Sequence, residues 1–74
     1  MSSEQLINEL ISIGRTRSYL PRGEGRIREI GEELNKVGGM GLMQRAHEQV
    51  YSALGNVKAR ELESAWNGIG MWRS

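Results

Sequence analysis

The chain of 74 residues contains no cysteine, which removes disulfides, thiolate catalysis and cysteine-based zinc sites together. Aspartate and phenylalanine are also absent, and there is one proline and one histidine. A single histidine excludes a histidine-rich metal site within one chain. No apolar run approaches the roughly 18 residues of a membrane span. The N-terminus lacks the basic start and apolar stretch of a secretory signal. Neither sign of charge dominates: ten basic residues face nine glutamates, for a net charge of +1. The expectation is a soluble, cytoplasmic protein with no membrane contact and no cofactor.

What remains is one small domain, residues 1–74. A chain of this size buries only about 60–65% of the surface that its unfolded form exposes. Domains this small commonly gain stability from a staple or a partner subunit.

The balanced charge conceals an uneven distribution. Five of the ten bases fall within residues 15–28, as Arg15, Arg17, Arg22, Arg26 and Arg28, opposed there by Glu24 alone. Ten glycines are many for a helical chain, and several stand where apolar periodicity runs out.

Four segments carry helical periodicity. The first, about 4–13, sets Leu6, Ile7, Leu10 and Ile11 on one face. Ser2 with Gln5 three residues on reads as a capping box, and Gly14 as a stop. Residues 15–25 have no period and contain Pro21, Gly23 and Gly25, which predicts an arginine-rich loop. The second segment, about 26–37, places Ile27, Ile30, Leu34 and Val37 on one stripe, with Arg28–Glu32 and Glu32–Lys36 pairs on the polar side. The third, about 41–54, does the same with Met43, Ala46, Val50 and Ala53, and Asn56 reads as the cap of the next helix. The fourth, about 57–67, has Ala59, Leu62 and Trp66, with Ile69 beyond. Short connections between helices predict antiparallel neighbours. The fold class is therefore all-α, a small bundle of three to four short antiparallel helices.

The sequence nearly repeats at an interval of 32 residues. Arg28-Glu29-Ile30, Leu34-Asn35 and Val37-Gly38 return as Arg60-Glu61-Leu62, Trp66-Asn67 and Ile69-Gly70. Ile27, Ile30-Gly31, Leu34 and Gly38 resemble the first helix and turn of a tetratricopeptide unit. Ala46, Val50 and Ala53-Leu54 resemble its second helix, and Trp66 falls where the next unit would carry a large side chain. The turn through Gly39, Met40 and Gly41 is longer than the family's, and its proline is missing. The resemblance spans residues 27–66 and implies an interaction scaffold without chemistry of its own.

Two groups of residues lie outside the helical stripes. The arginines at 15, 17, 22, 26 and 28 lead into a helix start, whose free N–H groups favour anions. Guanidinium groups suit carboxylates and phosphates. Tyr19 among them offers a ring on which a base can stack. Met40 in its glycine-rich turn, and Met71 with Trp72 near the C-terminus, are apolar residues that packing does not obviously need. Methionine and tryptophan are enriched at interfaces. His47 reads as a boundary residue over the core, and no nucleophile or orienting carboxylate is identifiable beside it. Glu61 and Glu63 read as a solvated face. The expected function is that of a non-enzymatic, self-associating protein-interaction module. The alternative is a nucleic-acid or phosphate-binding accessory protein using the arginine cluster.

Overall fold

A computed structural model describes residues 2–19 and 24–72. The described residues form three helices and no strand: α1 Ser3–Thr16, α2 Glu24–Leu54 and α3 Asn56–Ala65. No helix among them is long and apolar enough to cross a membrane.

The start of α1 is the predicted capping box. The Ser2 hydroxyl accepts from the Gln5 N–H, and the Gln5 side chain accepts from the Ser2 N–H, each at 3.2 Å. Such caps contribute about 1 kcal/mol. Leu6, Ile7 and Leu10 are buried, and Ile11 packs at the core's edge. Gly14 does not stop the helix, which runs on to Thr16. Instead Gly14 is buried, and a Cβ there would lie 2.5 Å from both Leu54 and the Tyr19 hydroxyl. The glycine makes room for neighbours rather than a turn.

The two middle segments form one element with a break. Gly39 has φ 66° and ψ −157°, outside helical geometry, while the backbone on both sides is helical. Thirty-one residues of straight helix would measure about 46 Å, yet the longest dimension of the molecule is 26 Å. The N-terminal arm, 24–38, and the C-terminal arm, 40–54, therefore bend toward one another at Gly39, and both feed one buried cluster. The turn expected through Gly41 shrinks to one non-helical residue. Ile27, Ile30, Leu34, Met43, Ala46 and Val50 are fully buried along the two arms. Val37 and Ala53, assigned to the same stripes, are exposed. Each is the last member of its stripe.

Gly55, not Asn56, occupies the cap position of α3, and no side chain bonds to the free N–H groups. Ala59, Leu62 and Ala65 are buried. Beyond Ala65 the chain continues as hydrogen-bonded turns. The Ile69 N–H donates to the Trp66 carbonyl, Trp72 N–H to Ile69, and Gly68 N–H to Trp72. These turns fold Trp66, Ile69 and Trp72 inward.

Trp66 anchors the core. It is fully buried, its indole N–H donates to the Ile27 carbonyl at 2.9 Å, and its ring lies against Gly31. The two near-repeats share buried residues at Ile30 and Leu62 and at Leu34 and Trp66. They then diverge, because the first copy stays helical to Gly38 while the second leaves helix after Ala65.

Candidate functional site

The arginines of residues 15–28 do not form one free surface. Arg26 clasps Glu9 of α1 through two guanidinium nitrogens, at 2.5 and 2.6 Å, and also reaches Glu29 at 3.1 Å. The hydrogen bond from Arg26, helped by its charge, holds the Glu9 carboxyl below the usual range against the opposing effect of burial. Arg28 donates to the carbonyls of Ala65 and Asn67, at 2.9 and 3.1 Å. It thus satisfies carbonyls left open where α3 ends. The expected Arg28–Glu32 pair is displaced by these contacts. Arg15 and Arg17 are exposed, and the Arg17 carbonyl accepts from Lys58 at 2.8 Å. Arg22 lies outside the described residues.

Glu61 organises the end of α1. One of its oxygens accepts from the Ser18 hydroxyl at 2.8 Å and from the Tyr19 N–H at 3.1 Å. Tyr19 is fully buried, and its hydroxyl donates to the Leu10 carbonyl at 2.8 Å. Burial, and secondarily the Glu61 charge, push its phenol well above the ordinary tyrosine range. Tyr19 is a core residue, and its ring is not available to stack on a base.

Glu63 is likewise no solvated residue. Its carboxylate lies 2.9 Å from His47 Nε2, and its carbonyl accepts from the Trp72 indole N–H at 3.1 Å. The His47 ring packs on Trp72 at 5.5 Å, and Trp72 meets Trp66 edge-on at 5.3 Å. Trp72, expected at an apolar interface, is only 6% exposed. The turns after Ala65 bring it back over α3, so it closes the core instead of presenting itself.

Met71 points the other way, 73% exposed between buried Trp72 and a Gly70 that abuts the Asn35 side chain. Two residues beyond Asn35 is Val37, 63% exposed. Met40, just past the break, is half-buried against the core. The turn end of α2 and the C-terminal turn thus carry two exposed apolar side chains, Val37 and Met71, with Met40 partly covered by the core. Tyr51 and Val57 are exposed near the opposite, α2–α3 end. No family model, curated protein or solved structure matches this chain.

Sequence periodicity misses the exposure of Val37 because it assigns the residue to a buried stripe from spacing alone. It misses Glu61 and Glu63 because their partners are 43 and 16 residues away. No local pattern marks such distant contacts.

Proposed function

We propose that this protein is a small interaction module that binds a second copy of itself through the turn end of α2, around Gly39. The observation behind this reading is that Val37 and Met71 are large apolar side chains left 63% and 73% exposed. Met71 projects from a turn tied by the Ile69, Trp72 and Gly68 N–H bonds. The backbone that carries it is already ordered, which limits the freedom lost on binding. Met40 borders the same end, and methionine's flexible thioether adapts to an opposing surface. A symmetric pair would set each patch against its twin.

The nucleic-acid reading has less support. Arg26, Arg28 and Tyr19 are bonded within the chain, which leaves Arg15 and Arg17 as the cluster's described arginines for phosphate. Light scattering over a concentration series reaching about 50 µM tests the self-association, since micromolar affinities are resolved there. A mass rising toward twice that of the chain is expected. A constant monomer mass, with single-strand binding that falls steeply as salt rises, would favour the nucleic-acid reading instead.

A further inference from the structure

On the α1 side of the hairpin, a cavity of about 330 Å³ opens between α1 and the C-terminal arm of α2. Glu4 and Asn8 line it from α1, and Arg45 and Gln49 from α2. Each pair is spaced four residues apart, so both side chains of a pair lie on one helix face. Ile7, buried, and Leu42, half-buried, supply apolar surface beneath. α1 is held in place from its other side by the Glu9–Arg26 clasp and at its C-terminal end by Tyr19.

Among the described residues, none of these four polar side chains has a hydrogen-bond or ion-pair partner. Glu4 and Arg45 carry opposite charges into one cavity without pairing with each other. A carboxylate, a guanidinium, two amides and an apolar floor define a ligand by complementarity. It carries an ammonium for Glu4, a carboxylate for Arg45 and an apolar body for Ile7 and Leu42. Asn8 and Gln49 each offer a donor and an acceptor, which suits an amide as well. The volume is at the lower end of the roughly 300–1,000 Å³ of small-molecule sites.

We propose that this cavity binds a small zwitterionic apolar ligand, either a free apolar amino acid or a dipeptide. None of Val37, Met40 and Met71 lines this cavity. The test is a nuclear magnetic resonance titration of the whole chain with leucine, with leucyl-leucine, and with leucyl-leucine acetylated and amidated at its ends. Saturable shifts confined to residues around Ile7, Asn8, Leu42 and Gln49 are expected with a zwitterion. Whether leucine or the dipeptide binds more tightly identifies the source. Capping the ends, or changing Arg45→Gln or Glu4→Gln, is expected to weaken binding about tenfold or more, the scale of a lost charge-assisted contact. Both substitutions neutralise an exposed side chain, and circular dichroism checks that the helices persist. No saturable shift up to about 10 mM of either zwitterion, a concentration that detects millimolar affinity, would overturn the proposal. So would equal binding of the capped peptide, or of both folded variants.

Discussion

Close contacts around single residues carry much of this fold. Gly31 illustrates how two opposing effects are decided. Alanine in a helix interior is favoured over glycine by about 1 kcal/mol. Here its Cβ would stand 2.5 Å from the Trp66 indole nitrogen and under 3 Å from two ring carbons. The indole is fully buried and bonded to the Ile27 carbonyl, so it cannot swing aside. Overpacking of this kind costs about 1–3 kcal/mol. We therefore expect Gly31→Ala to lower the thermal midpoint by several degrees, against the propensity trend. A midpoint unchanged or raised would show that the Trp66 contact yields. Tyr19 provides a second test at this scale. Its neutral phenol is favoured in the folded chain by burial and the Glu61 charge. That contribution is complete below the unfolded tyrosine value of about 10 and is lost as pH climbs toward the raised folded value. In an alkaline titration followed by ultraviolet absorbance and circular dichroism, the Tyr19 tyrosinate should appear only as helix is lost. Ionisation of both tyrosines with the helices intact would contradict this.

At the scale of elements, the helices were legible because each carries an apolar stripe with a 3.6-residue period. Leu6 to Leu10, Ile27 to Leu34, Met43 to Val50 and Ala59 to Trp66 are buried as that period requires. The Ser2–Gln5 cap was legible because its chemistry is local. The ends were less so. Gly14 and Gly39 are the same residue type serving different ends, close approach in one case and backbone geometry in the other. Their roles depend on what lies opposite them in space. The break at Gly39 tests this distinction. Its combination of φ and ψ belongs to a region that is essentially glycine-only, and other residues incur about 1–3 kcal/mol there. Gly41, two residues on, has an ordinary φ and open space around its Cβ position. Gly39→Ala should lower the midpoint of urea unfolding clearly, while Gly41→Ala should leave it unchanged or raise it. Equal effects of the two substitutions would mean that the hairpin does not depend on the geometry of Gly39.

For the whole molecule, Arg26, Arg28 and Trp72 serve contacts within the chain where local reading expects them to face a partner. Arg26 and Arg28 tie α2 to α1 and to the end of α3, and Trp72 closes the core over His47 and Trp66. All but the Trp66–Trp72 contact span 9 to 39 residues of sequence, which composition and spacing do not encode. Met40 and Met71 were legible as apolar residues outside the stripes, whereas the exposure of Val37 was not. Replacing Met71 leaves the core intact, because the side chain is 73% exposed and its neighbours are held by backbone bonds. The most direct measurement is sedimentation equilibrium of the wild-type chain beside Met71→Lys and Val37→Lys, at about 50 µM, where a micromolar dimer is well populated. The account predicts a dimer for the wild type and a folded monomer for each variant. A wild-type monomer, or a dimer that survives both substitutions, would contradict it.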